Sequence, residues 1–222
     1  MELYVYWNTI DKDCKKIFHC LSPNDEETII PIFDADCIDR KVKPFKKDEV
    51  VRRIKDANTV IFCTHGGPDE IMKCRQREKK DCDNFILIDK NNIQLLKDKI
   101  VIALCCYSAK RLGPNSLVGA DKCKAYIGFK TPIYYDDEER KKAGKTRHVI
   151  YVAYKKAIKK TLIYAQKNNV DVKEFRERLD IYLQQELVGN ILEQDDGSMN
   201  NKFMTTIEGL VALGDVNAKV FY

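Results

Sequence analysis

Two short apolar runs constrain the fold of this chain more than any other feature. One, Val60-Ile61-Phe62-Cys63, breaks into Thr64-His65-Gly66-Gly67. The other, Ile100-Val101-Ile102-Ala103-Leu104, breaks into Cys105-Cys106-Tyr107-Ser108. Runs of this length, rich in β-branched residues and bounded by turn formers, read as strands. Apolar on both faces, they belong in a parallel sheet covered by helices. In open α/β sheets, ligands bind beyond the carboxyl ends of the strands. The two runs therefore deliver a histidine and a cysteine pair to the same end of one sheet.

The flanking pattern extends this α/β reading. Leu3 to Trp7 is a first strand, with Asn8 starting a turn. Thr28 to Phe33 is a second strand candidate, and its Pro31 demands an edge position or a strand end. Lys47 to Asn58 has helical spacing, with Val50, Val51 and Ile54 on one face. It feeds the His strand, 59–64, to make a βαβ unit. A charged loop or small excursion over 68–84, a short strand at Phe85 to Ile88, a turn at Asp89 to Asn92 and a short helix at Ile93 to Lys97 lead to the Cys strand, 100–105. Asn115 or Ser116 is placed to cap a helix over Leu117 to Lys122, before a strand at Ala125 to Phe129. Residues 135–147 form a highly charged loop. Thr146 to Lys167 has the strongest helical period, and Asp171 caps a second long helix over Glu174 to Glu193. Leu210 to Asp215 reads as a last strand and turn. Residues 11–20 show no readable periodicity. No Pro/Gly/Ser linker divides the 222 residues. The expectation is a single domain over 1–222, with two long C-terminal helices on the faces of a central, mostly parallel sheet.

Composition narrows the function classes. The net charge is +5, and Lys and Arg alternate with Asp and Glu rather than massing, so direct nucleic-acid binding is not indicated. No run is long enough to span a bilayer. The opening residues Met1 to Trp7 lack the basic flank and apolar stretch of a signal peptide. The expected setting is cytoplasmic and reducing, where nine cysteines are thiols, metal ligands or catalysts rather than disulfides.

A thiolate attacks carbonyl carbon, and a nearby imidazole can take the thiol proton. The tetrahedral intermediate then needs donors aimed at its oxyanion. Gly66, which allows close backbone approach, and the Cys106 amide are the natural candidates. Zinc is the rival use of Cys63, His65, Cys74, Cys82 and Cys106. Their spacing does not form the close ligand pairs of structural zinc sites. No metal and no cofactor are expected. His19 and His148 lack any comparable context.

These motifs resemble those of the caspase-like cysteine peptidases, a group that includes caspases, gingipains and separases. They are most similar to the bacterial CHAT-type proteases. The resemblance is carried by Thr64-His65-Gly66-Gly67, Ile86-Leu87-Ile88-Asp89, Cys105-Cys106-Tyr107-Ser108-Ala109, Asn115 to Ala120, Ala125 to Phe129 and Leu213-Gly214-Asp215, and it is densest over 60–135. It implies a three-layer α/β/α caspase-like fold and cleavage of peptide bonds in protein substrates. Ser108 matches the family's Ser/Thr two places after the nucleophile, which implies Cys106 as nucleophile, His65 as base and Cys105 at a packing position. Cys105 as nucleophile is the alternative. It also implies a substrate pocket near Phe129 to Glu139, where Asp136 and Asp137 could pair with a basic side chain. A solvated acidic turn, or a site of chain cutting, is the competing reading of that loop. CHAT proteases often depend on a separate activating protein and act in bacterial defence or stress. Two other classes stay open: an inactive peptidase-like scaffold, supported by Ala109 in place of the family's glycine, and a flavodoxin-like phosphate binder. The latter predicts a glycine-rich turn after the first strand, which Asn8-Thr9-Ile10-Asp11 does not supply.

Overall fold

A computed structural model describes residues 3–8, 11–21, 47–72, 86–134, 149–193 and 197–221. Its elements are β1 (Leu3–Trp7), α1 (Lys12–Ile17), α2 (Lys47–Asp56), β2 (Thr59–Cys63), β3 (Gly66–Gly67), β4 (Glu70–Met72), β5 (Ile86–Ile88), β6 (Ile100–Ala103), α3 (Leu112–Asn115), β7 (Ala125–Phe129), α4 (Val149–Asn168), α5 (Val172–Glu193), α6 (Gly197–Glu208) and β8 (Leu210–Gly214). Among the described residues, five strands form the central sheet in the order β1-β2-β6-β7-β8. The first four run parallel, and β8 closes the edge antiparallel to β7. Trp7 lies opposite Cys63, and Phe62 opposite Ala103, so the carboxyl ends of β1, β2 and β6 stand side by side. A second, antiparallel sheet of β3, β4 and β5 grows from the end of β2.

The period of two along each strand sorts the core into two layers. Leu3, Val5, Trp7, Ile61, Cys63, Ile102 and Ile127 face one way, into a cluster with α1, α4, α5 and α6. Tyr4, Tyr6, Val60, Phe62, Val101, Ala103 and Tyr126 face the other way, against Val50 and Ile54 of α2, Leu112 of α3 and Ile71 of β4. Each fully buried aliphatic or aromatic side chain contributes about 1.5–3 kcal/mol, which is why the strands are apolar on both faces. The result is a mixed α/β protein with a mostly parallel sheet between two helical layers.

Several expectations need correction. The two long C-terminal helices do not divide between the faces. Phe175 and Leu179 of α5 join the same cluster as Tyr154 and Ile158 of α4. The connection at 169–171 is short, and short connections make neighbours of consecutive helices. Asp171 does cap α5, its Oδ1 accepting the Glu174 N–H at 2.8 Å. The helix expected over Leu117 to Lys122 is absent. The helical turn lies earlier, at Leu112–Asn115, where Ser116 Oγ donates to the Gly113 carbonyl at 2.7 Å. Gly119 then takes a φ of +87°, which no helix continues through. Helix α1 sits in the stretch that showed no period, and α6 was not anticipated. The strand proposed at 28–33 and the loop at 135–147 lie outside the described residues.

Candidate active site

The first half of the site is built by β1 and α1. After β1, the Asn8 N–H continues the ladder to the Cys63 carbonyl at 3.0 Å. Asn8 Oδ1 accepts the Asp11 N–H at 3.2 Å. Asp11 then caps α1, its Oδ1 accepting the N–H groups of Asp13 at 2.9 Å and Cys14 at 3.1 Å. An Asp at this position satisfies orphan amides and suits the positive end of a helix. Trp7 Nε1 donates to the Cys14 carbonyl at 3.2 Å, and the Tyr151 hydroxyl donates to Asp13 at 2.7 Å, so α1 is anchored from both sides.

This cap meets His65. Beyond β2, the His65 carbonyl accepts the Met72 N–H at 2.9 Å and Thr64 Oγ1 donates to the Met72 carbonyl at 2.7 Å. The histidine is thereby held between β2 and the β3–β4 hairpin. Its Nε2 lies 3.1 Å from Asp11 Oδ1 and 3.5 Å from Cys14 Sγ. The Asp11 side chain is only 2% exposed and that of His65 10%. An Nε2–H donated to the carboxylate leaves the lone pair on Nδ1, the tautomer a general base requires.

The second half is the end of β6. Cys105 keeps the strand's alternation, lies in the α2-side cluster and is 1% exposed. Burial, with the neighbouring Cys106 second, pushes its thiol well above the ordinary range. Cys106 leaves the strand. It is half-buried and packs against the opposite cluster. Its Sγ accepts the Ile133 N–H at 3.2 Å. Tyr107 follows in the left-handed region, at φ 58°. A non-glycine residue there costs of order 1–3 kcal/mol and persists only where its surroundings hold it. Backbone bonds from Tyr107 to Thr131 and from Ala109 to Phe129, both 3.0 Å, hold it here.

Ile133 is itself braced by α6. Thr206, fully buried, accepts the Tyr134 N–H at 3.2 Å and donates to the Pro132 carbonyl at 3.1 Å. Thr131 Oγ1 donates to the Thr205 carbonyl at 3.1 Å.

The two halves touch through a glycine. A Cβ on Gly66 would lie 2.7 Å from the Cys106 carbonyl oxygen and 2.9 Å from Cys105 Cβ. The residue after His65 therefore rests on the backbone of the cysteine pair, and only glycine fits. Gly66 also pairs with Ile71 in the small sheet. Ser108 is fully buried, and its Oγ donates to the Ala103 carbonyl at 3.2 Å, so it latches the turn. A Cβ at Gly128 would meet that Oγ at 2.7 Å and Ala109 Cβ at 3.3 Å. Ala109 is accommodated because Gly128 has no side chain.

Among the other sequence candidates, Cys63 is fully buried in the core. Cys74, Cys82, Asp136 and Asp137 lie outside the described residues. Two site residues escaped the sequence reading: Asp11 and Cys14. The available signal was a capping pattern, Asn8-x-x-Asp11-x-x-Cys14, just past the first strand. Among the described residues, Asp11, Cys14 and His65 also form a group able to hold a metal, their ligand atoms all within 4.8 Å of one another.

No described helix is long and apolar enough to cross a membrane. Comparison with known proteins gives no match to a family model, to a curated protein or to a solved structure.

Proposed function

We propose that the protein is a cysteine endopeptidase with a Cys106 nucleophile and a His65 base, the latter positioned by Asp11. The observation that carries this reading is the buried Asp11–His65 pair, next to Gly66, which rests on the backbone of Cys106. The motif resemblance to CHAT-type and other caspase-like peptidases agrees with it. His65 Nδ1 takes the Cys106 proton, and the sulfur attacks the scissile carbonyl carbon. Asp11 fixes the ring and stabilises the imidazolium. The amides of Gly66 and Cys106 receive the oxyanion. The imidazolium then protonates the leaving amine, and water, deprotonated by the same ring, releases the acyl-enzyme. Cys105, kept as a buried thiol, takes no part.

The substrates are proteins or peptides, and a separate activating protein is the expected regulator. The test is a proteome-scale cleavage profile of the wild type against Cys106→Ala and His65→Ala, with and without candidate activating proteins. Cleavages present in the wild type and missing from both variants are expected. Their persistence in both variants would overturn the assignment.

A further inference from the structure

Three side chains of different chemistry converge on one point at the carboxyl end of the sheet. His65 Nε2 lies 3.1 Å from Asp11 Oδ1 and 3.5 Å from Cys14 Sγ, and all three residues are buried. Nε2 thus has a carboxylate oxygen and a thiol sulfur both within hydrogen-bonding reach. A tetrahedral cation satisfies all three at once. Zinc bonds of about 2.3 Å to sulfur and about 2.0–2.2 Å to nitrogen and oxygen place N and S about 3.5 Å apart and N and O about 3.3 Å apart. The two separations from Nε2 follow that pattern, and Oδ1 and Sγ lie within 4.8 Å of each other. The mixed S/N/O donor set suits zinc, whereas magnesium and calcium take oxygen ligands. Asp11 and Cys14 are three residues apart on one anchored helical turn, and His65 lies just beyond the neighbouring strand β2. The ligands are therefore positioned by the fold before any metal arrives.

We infer that Asp11, Cys14 and His65 form a zinc site, with water in the fourth position, and that its occupation switches off the base. The site stands on its own geometry, while the switching rests on the peptidase reading above. On binding, the Cys14 thiol gives its proton to solvent and the sulfur bonds the metal. His65 offers its Nε2 lone pair, so its ring proton moves through solvent to Nδ1. Asp11 binds as the carboxylate. With Nδ1 protonated and Nε2 on zinc, His65 has no lone pair left for the Cys106 proton. The same three atoms hold either a proton, in the active form, or a metal, in the silent one.

The experiment titrates Zn²⁺ into metal-free full-length protein against a chromophoric chelator, and follows cleavage of a substrate drawn from the profile above. Wild type and Cys106→Ala are expected to take up the same tight equivalent. Cys14→Ser and Asp11→Asn should weaken it at least tenfold. Asp11→Asn keeps a good helix cap, so it remains informative if Cys14→Ser fails to fold, which thermal melts would reveal. Zinc should suppress wild-type cleavage, with half-suppression moved at least tenfold higher in Cys14→Ser. Equal uptake by wild type and both ligand variants, or loss of the equivalent in Cys106→Ala alone, would overturn the site. Uptake with cleavage unaffected would overturn the switch. A tight equivalent, sensitive to Cys14 and Asp11, in a protein without peptidase activity would uphold the metal site while the peptidase reading failed.

Discussion

At the amino ends of the parallel strands, polar side chains are bonded to backbone. Thr59 Oγ1 donates to the Val220 carbonyl at 2.6 Å. Lys99 Nζ donates to the carbonyls of Lys55 at 2.9 Å and Ala57 at 2.6 Å, closing the end of α2. At the carboxyl ends, Thr64, Ser108 and Cys106 also bond backbone, but there titratable side chains meet one another as well: Asp11 lies against His65, with Cys14 beside them. Groups bonded to carbonyls are occupied by structure. Groups bonded to titratable partners can exchange a proton. On the peptidase reading, the contrast separates a stabilising end from a reactive one within a single sheet.

Mutation can test that contrast directly. The largest effect is expected at the reactive end: Cys106→Ala should reduce cleavage by at least about 10³-fold with little change in melting temperature. Asp11→Asn should lower kcat on the order of 10²–10⁴-fold, because the ring loses its tautomer and orientation, with KM much less affected. Gly66→Ala brings a methyl into the Cys106 carbonyl, and should cost roughly 1–3 kcal/mol in a denaturant melt as well as activity. Iodoacetamide followed by peptide mass spectrometry should modify Cys106 and spare Cys105 in the folded chain, and equal labelling would erase the distinction between the two cysteines. The smallest change in activity belongs to the stabilising end. Lys99→Met leaves two carbonyls without their donor and should cost about 1–3 kcal/mol of stability while leaving turnover near wild type. A Lys99 variant that lost turnover but not stability would break the comparison.

The sheet was legible because buried parallel strands are apolar on both faces, and the runs at 60–63 and 100–104 carry that pattern without interruption. The long helices α4 and α5 were legible from their period, but not the face they share, since a period records amphipathicity and not the neighbour. Of the site, His65 and Cys106 could be found because each lies just past the end of an apolar strand. Asp11 could not, because a six-residue helix shows less than two turns of period and its cap was hidden among charged neighbours. Asp11 reaches His65 only because β1 pairs with β2, a long-range fact that spacing within the sequence does not hold. The turn at 112–119 was misplaced because Ser116 bonds backward to Gly113 instead of forward as a cap.

Thr206 lies far along the chain from Cys106, yet its hydroxyl fixes the peptide that offers the sulfur a hydrogen bond. On the peptidase reading, the last described helix thus braces the peptide that faces the proposed nucleophile. On that reading, a genetic screen for lost cleavage is expected to return Thr206 beside His65 and Cys106, although Thr206 touches the site only through the 132–134 backbone.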